Sequence, residues 1–240
     1  MTLADPPARP SRLLTGMTIL AVLMFVVATL LALFYAPTDP QGHVQRIFYM
    51  HLGAFMGGAL AYLIGAVASV LYLARREKRW DTLALSAIEI GLVLSGFNIV
   101  SGMVWARPIW NTWWTWDPRL TSAAVMWLTY AAYLMLRNGI EDADRRARFA
   151  GVYGIVAFTS VIFTTVITRV RPDTIHPVVV GPSPQNAQGS FEIDSSAMTI
   201  TLVFNIITYI VLAITLTWHR VRLERLAEYV QQLKVKMLSR

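Results

Sequence analysis

Apolar residues in this chain come in long blocks rather than alternating with polar ones. Residues 13–36, 47–74, 83–106, 118–136, 149–169 and 197–218 are each predominantly apolar. Each is close to or longer than the roughly 20 residues an α-helix needs to cross the hydrocarbon core of a bilayer. A water-facing amphipathic helix would interrupt such a run every three or four residues, and a half-buried strand every second one. Inside lipid the backbone must satisfy its own hydrogen bonds, so the blocks are read as helices. The expectation is an all-α, polytopic integral membrane protein, a bundle of six transmembrane helices. The first block is too long for the apolar core of a signal peptide and has no small-residue cleavage pattern at its end, so it reads as a retained span. Residues 1–12 form an N-terminal segment, and 13–218 the six-span domain. Residues 219–240 form a basic tail whose apolar residues at 223, 226, 230, 233 and 237 recur at helical spacing. That tail suits anionic lipid or a docking partner.

Composition agrees: 55% of the residues are hydrophobic and 15% charged. The net charge of +7 would suggest nucleic acid until it is mapped. Segments 1–12, 75–82, 137–148 and 219–240 hold 16 of the 21 Lys and Arg residues. The alternate connectors hold only Arg46, Arg107, Arg119, Arg169 and Arg171. Cytoplasmic loops carry the excess of positive charge, so both termini are expected in the cytoplasm. In a bacterium the chain would sit in the cytoplasmic (inner) membrane, with connectors 37–46, 107–117 and 170–196 facing the periplasm. The charge reports topology, and no nucleic-acid partner is implied. The chain has no cysteine, which excludes disulfides, thiolate metal sites and cysteine nucleophiles.

The chemistry gathers on the outer side. Trp113, Trp114 and Trp116 occupy three of four consecutive positions, with Trp110 just before them and Asp117 just after. Scattered Trp105, Trp127 and Trp218 fit an interfacial belt, but four rings in seven residues exceed what a belt needs. If this stretch is helical, 110, 113, 114 and 117 share one face. That would make an aromatic plate suited to a large planar ligand. Asp117 before Pro118 also has the pattern of a helix N-cap with proline in the first turn. Of the four histidines, His219 lies among cytoplasmic arginines and reads as a solvated flank, and His43 is a weak ligand candidate. His51 opens the second span, which at 28 apolar residues is about 42 Å long and overshoots the core. His176 lies in the longest outer connector. The two histidines could face each other across a ligand and clamp a haem iron from both sides. Arg46 and Arg119 flank these elements, and guanidinium pairs well with carboxylate. Glu89, Ser95, Asn98 and Asn205 are the polar residues within the spans, and an intramembrane carboxylate is a functional candidate.

The stretch "WNTWWTWDPRLT", set between "RIFYMH" upstream and "TIHP" downstream, resembles the signature of the WWD superfamily of haem-handling membrane proteins. Over essentially the whole chain the pattern is similar to cytochrome c maturation protein C (CcmC-type). The resemblance implies a protein that holds haem b at the outer face and loads it onto a membrane-anchored haem chaperone. Its partners would be an ABC-type ATPase, that ATPase's membrane subunit and a small single-span helper. It implies His51 and His176 as axial ligands of the haem iron. Trp110, Trp113, Trp114, Trp116 and Asp117 would form the platform, and Arg46 and Arg119 the propionate contacts. This is a haem-transfer, haem-lyase-like module rather than a conventional enzyme, with no catalytic acid or base assigned. Alternatives are the channel-forming subunit of a haem exporter and a cytochrome c synthase of the same superfamily. Asn111 stands where the family commonly has glycine, and asparagine is one of the few other residues that tolerate left-handed backbone.

Overall fold

The computed structural model describes residues 10–38, 41–171, 173–179, 193 and 195–238. Of the N-terminal segment only its last three residues fall within that set, and most of the 170–196 connector lies outside it. Six helices follow in chain order. They are α1 (Arg12–Leu30, continued by a π turn, Leu31–Tyr35), α2 (Gln45–Arg75), α3 (Lys78–Trp110), α4 (Pro118–Asn138), α5 (Ala143–Val170) and α6 (Ser196–Leu238). A short 3₁₀ turn, Gly42–Val44, leads into α2. Among the described residues there is no strand.

Their limits follow from local chemistry. Ser11 Oγ accepts from Leu14 N–H and caps α1, and Asp142 accepts from Arg145 N–H and caps α5. Asp117 caps α4 with Pro118 in its first turn, as the sequence pattern predicts. Pro108 lies in the last turn of α3, where it has no N–H to give to the helix. That helix then stops at Asn111, which takes the left-handed conformation at φ 55° and ψ 21°. Arg107 donates to the Asn111 carbonyl at 2.8 Å and to its Oδ1 at 2.7 Å, holding the turn closed.

Helices α1, α2, α3, α5 and α6 are long and apolar enough to cross a membrane, and the chain is read as a multi-pass membrane protein. α4 falls short on hydropathy because Thr, Ser, Tyr and Trp dilute its 21 residues. Its buried positions, Ser122, Met126, Tyr130, Tyr133 and Arg137, recur every three or four residues and turn inward, so this polarity meets neighbouring helices.

α2 is the central element, packed on α3, α5 and α6, while α4 lies on α5 and α1 on α6. Close approach of α2 and α6 depends on small residues, as at many helix contacts in lipid. A Cβ at Gly57 would meet the Tyr209 backbone carbonyl at 2.7 Å. The core between α2, α3, α4 and α5 is built from Tyr62, Ile88, Met126, Tyr130, Tyr133, Ala150, Ala157 and Val161. Tyr62 and Tyr130 stack with centroids 3.6 Å apart. At the basic end Arg137 forms a two-pronged ion pair with Asp81, at 2.6 and 2.9 Å.

The basic segment after 218 continues α6, which runs unbroken to Leu238 and keeps the helical spacing read there. At 43 residues α6 is about 65 Å long, twice a hydrocarbon core. One expectation is corrected: His219 is not a free solvated flank, because its Nε2 lies 2.8 Å from Thr18 Oγ1 and ties α6 to α1.

Candidate functional site

At the end of the bundle where α2 begins and α3 ends lies a cavity of about 900 Å³, its open mouth included. Its walls come from α2, α3, the start of α4 and the segment 173–179. They include Phe48, Phe55, Met103, Trp105, Trp110 and Trp114, with His51, Asn98, Arg119 and His176 as polar groups. Of the nine sequence-predicted site residues, His51, His176, Trp110, Trp114 and Arg119 line the cavity, and Trp113, Trp116, Asp117 and Arg46 do not.

His51 and His176, from elements far apart in the chain, meet across this cavity with ring centroids 6.4 Å apart and planes inclined by 33°. The hydrogen bonds around each assign its protons. Ser101 donates its hydroxyl to the Asn98 carbonyl at 3.0 Å, so its oxygen is left to accept. His51 Nδ1 lies 3.1 Å from that oxygen, which is placed to accept its proton. The Asn98 amide nitrogen is almost equidistant from the two ring nitrogens, at 3.2 and 3.3 Å, and so points along neither lone pair. Its shorter bond, 2.8 Å, goes to the His51 carbonyl. His176 Nδ1 lies 3.0 Å from the Pro177 carbonyl, which can only accept. These partners suit a proton on Nδ1 of each ring, which would leave the Nε2 atoms, that of His51 beside the Asn98 amide at 3.3 Å, as the acceptor side of each imidazole.

Burial drives the His176 pKa down to about 3, helped by the Arg119 charge and by His51, against the opposing effect of the Pro177 bond. This ring is neutral at neutral pH, as ligation of iron requires. Gly102 makes room for the other ring: a Cβ there would come 3.0 Å from His51 Cε1.

Arg119 lines the cavity, with its guanidinium 4.6 Å over the Phe55 ring and one N–H donated to the Thr164 carbonyl. Trp110 lies 5.0 Å edge-on to Trp105 and 6.5 Å from His176, also edge-on. Trp114 lines the cavity as well, and its buried Nε1 has no partner among the described residues.

The plate expected of a helical Trp stretch does not form. The left-handed turn at Asn111 ends α3, and residues 111–117 are irregular, so the helical phase is lost after Trp110. Trp113 and Trp116 turn outward, 55% and 78% exposed, and neither lines the cavity. Asp117 and Arg46 are also outside the lining. Asp117 Oδ1 accepts from Leu120 N–H at 2.8 Å. Its Oδ2 accepts from the Thr174 hydroxyl at 2.6 Å and from Ile175 N–H at 3.1 Å. Arg46, in the first turn of α2, keeps a buried Nε without a partner among the described residues. His43 is exposed in the 3₁₀ turn and does not line the cavity.

The polar residues considered for a path through the bundle each have a partner instead. Glu89 pairs with Arg220, at 2.6 Å and 3.0 Å. Ser95 lies 2.8 Å from Tyr62 Oη. Asn205 donates to the Thr201 and Ala28 carbonyls. Ser101 and Gly102 were not singled out by sequence reasoning. Ser101 could have been, because it follows Asn98 by three residues in an apolar span and so shares its face.

Comparison with known proteins agrees with this organisation. A family model described as heme exporter protein C matches residues 7–236. The chain is 34% identical over 124 residues to heme exporter protein C of Paracoccus denitrificans, which covers 51% of this chain and 52% of that one. To heme exporter protein C of Escherichia coli K12 it is 28% identical over 229 residues, 92% of this chain and 89% of that one. A mitochondrial ccmC-like protein of Marchantia polymorpha, named for cytochrome c biosynthesis, is 35% identical over 117 residues, 48% of this chain and 51% of that one. The matched region thus spans about half the length of two of these relatives and nearly nine-tenths of the third. With a family match running almost from end to end, the chain belongs to the heme exporter protein C (CcmC) family.

Proposed function

We propose that this protein binds haem b in the cavity between His51 and His176 and passes it to a membrane-anchored haem chaperone during cytochrome c maturation. The observation that carries this reading is the histidine pair. Metal–nitrogen bonds of about 2 Å on both sides of one ion, plus half a ring at each end, place trans imidazoles about 6 Å apart. The observed 6.4 Å fits, and each Nδ1 has a partner able to accept its proton. Trp110 and Trp114 supply apolar ring contact, and the flanking cations Arg119 and Arg46 suit propionates. Exposed Trp113 and Trp116 suit the headgroup level of the bilayer.

The charge split along the chain supports an inner-membrane protein with six spans, both termini in the cytoplasm and the cavity toward the periplasm. An ABC-type ATPase, its membrane subunit and a single-span helper are the partners implied by the family's name and by the sequence resemblance. In this role the histidines hold the iron, the indoles hold the ring, and the guanidinium groups orient the carboxylate edge. No residue is required to act as a general acid or base. Of the four polar residues considered for a channel, Asn98 lines the cavity, while Glu89, Ser95 and Asn205 are engaged in helix-to-helix or intrahelical bonds, which favours the transfer reading.

The test is purification of the full chain and its absorbance spectrum. Haem should co-purify, and His51→Ala or His176→Ala should change the spectrum while His219→Ala should not. Two alanine variants with a wild-type spectrum would remove the ligand assignment. Orientation is checked with single cysteines, against a background that has none. One at Thr112 should react with an impermeant thiol reagent in intact cells and one at Asp142 should not; the opposite result overturns the periplasmic site.

A further inference from the structure

We infer that Asp117 is a positioning residue for His176, acting as a latch that ties the Trp segment to the ligand-bearing loop; this rests on the haem-binding reading above. Asp117 has the sequence position of a platform residue but the contacts of a fastener. One oxygen caps α4 through Leu120 N–H. The other takes two donors from the far connector, the Thr174 hydroxyl and Ile175 N–H. Thr174 Oγ1 in turn receives the His176 N–H at 3.3 Å. The chain of contacts thus runs from the start of α4, through one carboxylate, to the backbone of the histidine itself.

Three features separate this role from ligand contact. Asp117 does not line the cavity, whereas His176, two residues beyond Thr174, does. Both carboxylate oxygens already accept hydrogen bonds, so little acceptor capacity is left for a ligand donor. A carboxylate would moreover repel the propionates of haem. The energetics point the same way. Hydrogen bonds to a charged acceptor are among the strong ones in proteins, and residues 173–179 have no helix or sheet ladder to fix their path. Two such bonds hold 174 and 175 against α4, and His176 is left with only the rotations of its own side chain to settle.

The test uses the purified full chain, titrated with ferric haem and read by its visible spectrum. Asp117→Asn keeps an oxygen for the α4 cap but cannot accept from Ile175 N–H with its amide nitrogen. Thr174→Val removes the hydroxyl at nearly constant volume and leaves the cap untouched, and Thr174→Ser keeps the hydroxyl. The wild type should be six-coordinate and low-spin. Asp117→Asn and Thr174→Val should shift it toward a five-coordinate, high-spin form and weaken haem binding on the order of tenfold. Added imidazole should restore the low-spin spectrum in both, as it should in His176→Gly, and Thr174→Ser should match the wild type. The latch is overturned if both variants keep the wild-type spectrum, whatever their thermal stability, or if imidazole fails to restore it. A wild type that takes up no haem, or whose spectrum is indifferent to His51→Ala, overturns the haem reading itself and the latch with it.

Discussion

The two halves of the site are built differently. His51 stands in the second turn of a helix, and a neighbouring helix holds it at several points. Asn98 grips its carbonyl, Ser101 fixes Nδ1 and Gly102 leaves space for the ring. His176 stands on an irregular connector, bonded to the carbonyl of the next residue and tethered through side chains of Thr174 and Asp117. A ligand on a packed helix pair is preorganised by the fold, whereas a ligand on a connector must have its ordering entropy met by a few local bonds. The first half is the fixed jaw, and the second is held by local bonds among the described residues.

The sharpest way to break this comparison is to remove each jaw in turn. His51→Ala should have the largest effect, since only the connector-borne ligand remains and it must be ordered on binding. His176→Ala should retain more haem, five-coordinate on His51. Equal losses, or the reverse order, measured as haem per protein after purification, would show that the jaws do not differ. Next comes Arg119→Ala. If the guanidinium meets a propionate, loss of a charge-assisted bond of roughly 1.5–3 kcal/mol weakens haem about ten- to a hundredfold. The dimethyl ester of haem should then bind wild type and variant alike. A variant that still discriminates fully between free haem and ester removes Arg119 from the propionate end. Asn98→Ala should be milder. It loses a neutral bond of about 1 kcal/mol, roughly fivefold in affinity, and imidazole should not compensate because His51 itself is intact. The smallest effect belongs to Trp116→Ala. With its ring 78% exposed outside the cavity, haem affinity should change less than about twofold, while Trp114→Ala should weaken haem and its ester equally.

Much of the scaffold was legible because a bilayer simplifies the rules. Apolar run length places all six helices, including α4, whose capping Asp117 and Pro118 mark its start. The tolerance of asparagine for left-handed backbone correctly anticipates Asn111. The convergence of His51 and His176 was legible only as sidedness, two imidazoles on the same face of the membrane. What failed was phase. Extending helical geometry through 111–117 put Trp113 and Asp117 on one plate with Trp110, although the same Asn111 turn that was foreseen ends the helix there. The Ser101 support, fifty positions from His51, depends on the rotation of α3 about its axis, which packing decides and a single sequence does not display. The Thr174 tether depends on a connector without periodicity. The helical spacing read after 218 is kept, because the basic residues there do not interrupt α6: Arg, Glu, Leu and Ala are all good helix formers.

The stacked pair of Tyr62 and Tyr130 lies in the core and does not line the cavity. Tyr62 follows His51 by eleven residues, about 16 Å along α2. Around the pair Ile88, Met126 and Tyr133 are buried too, and the phenol of Tyr62 is spent on Ser95. A packed layer of rings and aliphatic groups is also a poor path for ions, since each unit charge crossing 100 mV would dissipate about 2.3 kcal/mol. The tyrosine layer thus stands as an apolar partition between the cavity-lining residues and the Asp81–Arg137 pair.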